Sequence, residues 1–232
     1  MLTPHVAAGY SKALAPLTVV REPAEEKKYT SRIQKGGAML NEMRQLVQLW
    51  HDGPEAELRA ELIRKNELNR ATRARLNDVL TRIFLPRFVH GPRVPNAWRL
   101  LVPLERLGAS GSMVRPLYFW VTALAEPLVY DCCVEYLARR RELQLVAIEV
   151  AEVAAWVGSK GSGWSETVTI KVTRALLAAL RDFGVLEGRA KKQLGPHVCR
   201  WRHSRIWRFV CIMKKALHRE RCWITRIGCC SR

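Results

Sequence analysis

The stretch that decides the fold runs from Trp164 to Lys192 and reads WSETVTIKVTRALLAALRDFGVLEGRAKK. Ser165 is placed to cap a helix, its hydroxyl accepting from the unpaired N–H groups of the first turn. Val168, Val172, Ala175, Leu176, Ala179, Leu180 and Phe183 recur at steps of three and four, which makes one apolar stripe. Gly184 follows where a left-handed residue ends a helix. The other face carries Thr167, Lys171, Arg174, Ala178 and Arg181, small, hydroxylated or basic. A basic turn of Leu186 to Lys192 comes next, with Arg189, Lys191 and Lys192 as its cations. A capped helix with such a face and a basic hairpin is what a winged helix-turn-helix presents to a DNA groove. Ser165, Thr167, Lys171, Arg174 and Arg181 are then the recognition-helix contacts, and Arg189, Lys191 and Lys192 the wing contacts. The same pattern serves a core helix with a solvated face.

Upstream, AIEVAEVAAWV (Ala147 to Val157) reads as a shorter amphipathic helix with Ile148, Val150, Val153, Ala154 and Val157 on its apolar side. A Gly/Ser turn from Gly158 to Gly163 joins the two, longer than the usual helix-turn-helix connection of three or four residues.

The remaining chain reads as mainly α. Met1 to Lys28, with three prolines and no periodicity, is expected to be a loose leader, and it has no apolar core of signal-peptide length. Met39, Leu40, Met43, Leu46, Val47 and Trp50 mark a helix that His51-Asp52-Gly53-Pro54 stops. Glu55 to Lys65 and Thr72 to Leu85 follow, the latter ending at Pro86, then Pro95 to Leu107 and two segments started by Pro116 and Pro127. Strand signals are confined to Leu143–Val146 and the wing. The expected organisation is a leader at 1–28, a helical domain at 29–110, a second helical domain with the winged module at 111–194, and a tail at 195–232.

The formal charge of +18 points to a polyanionic partner. Its distribution is uneven: 196–232 holds ten of the 39 Lys and Arg and one of the 21 acidic residues. That tail contributes +9, and the preceding residues the other +9. A further basic region spans 64–87, where Arg70, Arg73, Arg75 and Arg82, with Arg64, Lys65 and Arg87, offer a second phosphate-contacting surface or a solvated face. Five of the seven cysteines lie in the tail, and Cys132 and Cys133 read as buried thiols, so no disulfide framework is implied and a cytoplasmic location is expected. Hydrophobic content of 48% supports a packed core and excludes a disordered basic tail protein. The apolar stretch from Pro116 to Val134 is interrupted by Glu126, Pro127 and Asp131, which argues for two buried helices over a membrane span. No Gly-rich phosphate loop, metal-ligand spacing or catalytic motif is present, so no cofactor and no enzymatic activity are expected.

YTSRIQKGGAMLNEMRQLVQLW, NELNRATRARLNDVLTRIF and WSETVTIKVTRALLAALRDFGVLEG, in that order, resemble the BrxA family of BREX phage-defence systems, long labelled inner-membrane proteins. The resemblance runs from about Tyr29 to Leu194. Its sharpest motifs are Trp164-Ser165-Glu166-Thr167, Arg181-Asp182-Phe183-Gly184 and Gly36-Gly37. It implies an all-helical protein of two domains, the second of winged-helix type. It also implies binding of double-stranded DNA in the company of the BREX methyltransferase and ATPase proteins.

The tail departs from the family, which continues with a Phe-Ala-Tyr-Leu-like helical segment and ends near an Asp-Trp. Here Trp201, Ile206, Trp207, Val210, Ile212 and Trp223 are interleaved with Arg and Lys at no constant period. Codons begun at the third base of the stated ones permit ARLPLAAFAYLAFRLHHEEG from Pro196 onward, so the tail reads as a frameshift product. Its Cys and His content contains no C-x-x-C or matched His pair for zinc, and its Arg/Trp mixture shows no amphipathic face for a membrane or RNA. Two other functions compete with DNA binding: a protein–protein adaptor docking a partner on the apolar helices around Phe119 and Trp120, and an RNA-binding helical module.

Overall fold

The computed structural model describes residues 28–68, 72–161, 163–188 and 192–195. Residues 1–27 of the leader, Arg70, Arg189, Lys191 and the tail from 196 therefore lie outside the described residues. The fold is mainly α. Helix α1 (Ile33–Gly36) leads into α2 (Leu40–Leu49), α3 (Glu55–Lys65) and α4 (Arg73–Val79). Thr72 caps α4 by accepting from the Arg75 N–H at 3.2 Å. The expected stop at Pro86 does not occur: the helix continues from α4 as a π-helical stretch, Leu80–Val89, straight through the proline. Proline removes one N–H and crowds the preceding turn, and a widened turn accommodates both. Burial favours the extension, because Phe88 and Arg87 beyond the proline are inside.

Helix α5 (Trp98–Arg106) is followed by α6 (Gly111–Ala125), which starts five residues before the expected Pro116. The second break is where the sequence puts it. Glu126 precedes Pro127 and is extended (φ −120°, ψ 95°), because the proline ring disfavours a helical conformation before it. Helix α7 (Pro127–Asp131) runs on through a π-helical stretch, Cys132–Leu137, into α8 (Ala138–Glu142). The helices on either side of Glu126 are bent by 113°, and no single helix among the described residues is long and apolar enough to cross a membrane.

The last part of the described chain is β1 (Ala147–Ile148), α9 (Val150–Lys160), α10 (Glu166–Asp182), β2 (Leu186–Glu187) and β3 (Lys192–Leu194). The three strands form an antiparallel sheet of order β1-β3-β2, with Ile148 opposite Lys192 and Leu186 opposite Leu194. This corrects two expectations. Ala147 and Ile148 are strand, not the start of a helix, and Leu143–Val146 is an exposed loop whose last carbonyl accepts from the Leu194 N–H at 3.0 Å. Ile148 is buried in either conformation, so its place in an apolar pattern did not distinguish them.

One hydrophobic cluster extends from Ile33 to Leu186 and crosses position 110 without interruption. Aromatic rings line its middle: Trp50, Phe84, Phe88 and Tyr118 follow one another with centroids 5.1–5.6 Å apart. Gly36 and Gly37 let α1 enter this core. A Cβ on Gly36 would stand 2.2 Å from Ile83 Cδ1, and Gly37 has φ +53°, ψ −131°, a region open to glycine alone. Two ion pairs with buried carboxylates hold the cluster. Glu105 accepts a two-pronged bond from Arg44 (2.9 Å to each oxygen), with Tyr118 and Gln48 adding donors. Glu126 accepts from Arg87 Nε at 3.2 Å.

Candidate nucleic-acid interface

Helix α10 is built as its pattern requires. Val172, Leu176, Leu177, Ala179, Leu180 and Phe183 are buried, and Ser165, Thr167, Lys171 and Arg174 are exposed on the other side. Ser165 Oγ accepts from the Val168 N–H at 3.4 Å, the long end of such a bond. At the other end Gly184 takes φ +75°, and the Gly184 and Val185 amides close the helix onto Arg181 and Leu180 at 2.8 Å each.

The connection from α9 is shorter than the sequence suggested, because α9 runs on through Gly158 to Lys160. Four residues separate Lys160 from the cap at Ser165. The indole of Trp164 lies over Gly161 so closely that a Cβ there would meet the ring at 2.2 Å. Val153 and Val157 are buried against α10, whereas Val150 is 39% exposed and does not belong to the apolar side. Beyond α10, β2 and β3 form the arms of the expected hairpin. Lys192 sits in β3 and is half-buried, while Arg189 and Lys191 at the turn lie outside the described residues.

The predicted cations are not equivalent. Lys171 and Arg174 are exposed, and neither meets a carboxylate among the described residues. Arg181 is tied to its neighbour, with Nε and Nη2 donating to Asp182 Oδ1 at 3.1 and 2.8 Å. In the second basic region Arg82 pairs with Asp78 at 3.0 Å. Arg87 is no surface residue at all: it is 1% exposed, bonded to Glu126 and to the Gly37 carbonyl at 2.9 Å. Burial pulls its pKa below the usual value and Glu126 pulls against that. Arg73 and Arg75 are exposed, and Arg75 Nη2 donates to the Lys35 carbonyl at 2.7 Å. Lys35, exposed on α1 beside α10, is a cation that sequence reading missed, since its helix is a single turn with no pattern to read.

Elsewhere the surface offers little chemistry. Among the described residues no group of three His, Cys, Asp or Glu side chains could hold a metal ion. Cys132 is buried, and burial pushes its thiol well above its ordinary pKa, so it is unreactive. Cys133 is only half-buried by exposure. The pair Phe119 and Trp120 does not form an open docking face: Phe119 is buried edge-on to Phe183 at 5.4 Å, and Trp120 is half-buried. Exposed apolar side chains gather instead at Leu143, Leu145 and Val146, beside a groove of about 420 Å³ lined by Tyr136, Arg139 and Trp156.

No curated protein matches the chain. The family model that matches is that of BrxA, over residues 27–203. This covers the whole described fold, from Tyr29 through the Gly36-Gly37 entry of α1 to the α9–α10 pair and its hairpin, and the chain belongs to the BrxA family of BREX phage-defence systems.

Proposed function

We propose that the protein is a non-enzymatic, double-stranded-DNA-binding accessory component of a BREX system, working in the cytoplasm beside the methyltransferase and ATPase proteins. The observation that carries this reading is the face of α10. Lys171 and Arg174 stand exposed one turn apart, without carboxylate partners among the described residues, on a capped helix that follows a four-residue turn and precedes an antiparallel hairpin. The order strand, helix, turn, helix, hairpin, with sheet order β1-β3-β2, supports a winged-helix reading, in which such a helix would lie in the major groove. Contacts would be mainly to phosphates, giving affinity with little sequence preference.

The test is a salt titration of duplex affinity. Replacing Lys171 and Arg174 by Ala should lower the slope of log affinity against log salt by about 0.9 per lost phosphate contact. Helical content should not change, because both side chains lie off the buried stripe. An unaltered slope in a folded variant rejects α10 as the DNA-contacting helix. Equal binding of single-stranded RNA would move the assignment to an RNA-binding module.

The adaptor reading keeps one supporting observation, the exposed Leu143, Leu145 and Val146 beside their groove. Contiguous exposed apolar surface of this kind commonly marks a protein contact. Retention of the BREX partners by the Lys171/Arg174 variant and their loss on Leu145→Asp would favour it.

A further inference from the structure

We propose that Lys35 joins the basic face of α10 to Arg73 and Arg75 at the start of α4, so that one DNA duplex is held along a single continuous track. This rests on reading α10 as the DNA-contacting helix, and it replaces the two separate basic surfaces that the sequence suggests.

Two contacts bring the track together. Helix α1 packs along α10, and at Gly37 a Cβ would stand 3.9 Å from the Ala175 carbonyl oxygen. Ala175 is the residue after Arg174 and one turn beyond Lys171, so the C-terminal end of α1 lies against the segment of α10 that carries both cations. Helix α1 also meets α4, where Arg75 Nη2 donates to the Lys35 carbonyl at 2.7 Å. Cations far apart in sequence are thus carried on three successive neighbours, α10, α1 and α4.

Charge pairing removes some cations from consideration. Arg44, Lys65, Arg82, Arg87, Arg99, Arg140, Lys160 and Arg181 each meet a carboxylate within the fold. Lys35, Arg73, Arg75, Lys171 and Arg174 are exposed and meet none among the described residues. The same is true of Arg64, Arg93, Arg106, Arg115, Arg139 and Arg141, and what sets the five apart is that the helices carrying them adjoin. The acidic residues of the three elements do not cancel them. Asp78 is taken by Arg82 and Asp182 by Arg181, which leaves Glu166 in the first turn of α10. Helix α1 has no acidic residue. Arg75 spends one N–H on the Lys35 carbonyl and keeps its other donors, so its guanidinium is positioned before any phosphate arrives. Unpaired cations on neighbouring helices can each take a phosphate of one duplex.

The experiment uses the full chain and a mixed-sequence DNA duplex of about three helical turns. Lys35→Ala with Arg73→Ala is the chosen variant, since both side chains are exposed and Arg75 grips the Lys35 backbone, which the change leaves in place. Far-UV circular dichroism and a thermal melt verify that it folds. The expected result is one duplex bound per chain, with a salt slope lower by about two units. Lys171→Ala with Arg174→Ala should lower the slope by a similar amount, and the fourfold variant by the sum. A full slope in the Lys35/Arg73 variant, with a reduced one in the Lys171/Arg174 variant, overturns the continuous track and leaves the DNA-binding reading standing. A full slope in both variants overturns the two together. Binding of a second duplex by the wild-type chain, lost in the Lys35/Arg73 variant, shows two independent surfaces and also overturns the track.

Discussion

At the scale of single residues, the buried charges separate structural groups from those available to a partner. Arg87 and Glu126 are 1% and 2% exposed, and the pair sits where the helix breaks before Pro127. Removing one member of such a pair leaves the other charged and without its counter-ion, which typically costs 3–5 kcal/mol. Glu126→Ala is therefore expected to destabilise the protein by about 3–5 kcal/mol in denaturant unfolding. Arg87 Nη2 has no partner among the described residues, so the loss would strand a guanidinium that is already under-satisfied. Tyr29 supplies a pH prediction. Burial, then its hydrogen bond to Asp131 at 2.8 Å and that carboxylate's charge, push its phenol up to about 12. The folded state keeps this proton where the unfolded chain has lost it, so the stabilisation is complete below pH ~10, the unfolded value, and is lost as pH rises towards about 12. Stability of Tyr29→Phe should fall less steeply than wild type across that window. Parallel curves would show that the Tyr29 proton is not linked to folding.

At the scale of elements, α10 and its surroundings show where periodicity is a sufficient guide. Its cap, stripe, exposed face and Gly184 terminus are all local properties, set by residues three and four apart. Partnering on the exposed face is less legible. Arg181 and Arg174 occupy equivalent places in the pattern, yet Asp182 accepts two bonds from Arg181 and none from Arg174. The expected outcome is unequal: Arg174→Ala should reduce the salt slope by about 0.9 units, and Arg181→Ala by less than half of that. Equal reductions would mean that Asp182 releases Arg181 when DNA binds. Two elements went unread for physical reasons. Strand β1 is two residues long and draws its definition from hydrogen bonds to β3, more than forty residues away. The helix beyond Pro86 persists because Arg87 and Phe88 are wanted in the core, which outweighs one missing N–H.

At the scale of the whole molecule, the continuity of the core is the main feature. The expected boundary at 110/111 is crossed by one hydrophobic cluster, and α1 from the first half packs along α10 in the second. The described residues are accordingly expected to unfold in one transition, with Ile33→Ala, at a buried contact of α1, lowering the midpoint for signals from either half. The loss should be about 2–5 kcal/mol, the usual range for truncating a large buried aliphatic side chain. Two separated transitions, with Ile33→Ala moving only one, would support the division into 29–110 and 111–194. The same packing aligns the basic stretches of α4 and α10 through α1, so the binding geometry and the global stability draw on the same contacts.

The sequence by itself determined the helical class, the capped helix from Glu166 to Asp182, its division into an apolar and a basic face, and the break at Glu126-Pro127. Each depends on neighbours within one or two turns or on a proline's covalent geometry, and such preferences act before any tertiary contact forms. Motif order also sufficed to place the chain in its family, since Gly36-Gly37, Trp164–Thr167 and Arg181–Gly184 stand at positions the match spans. Only the tertiary structure decided which cations are free. Whether an arginine faces a carboxylate, as Arg87 does with Glu126 thirty-nine residues away, depends on how helices meet, and no local pattern encodes it. The same holds for Lys35, which carries no signal in the sequence. It becomes a candidate contact because two glycines let α1 settle between Ile83 and Ala175, against the segment of α10 that carries Lys171 and Arg174.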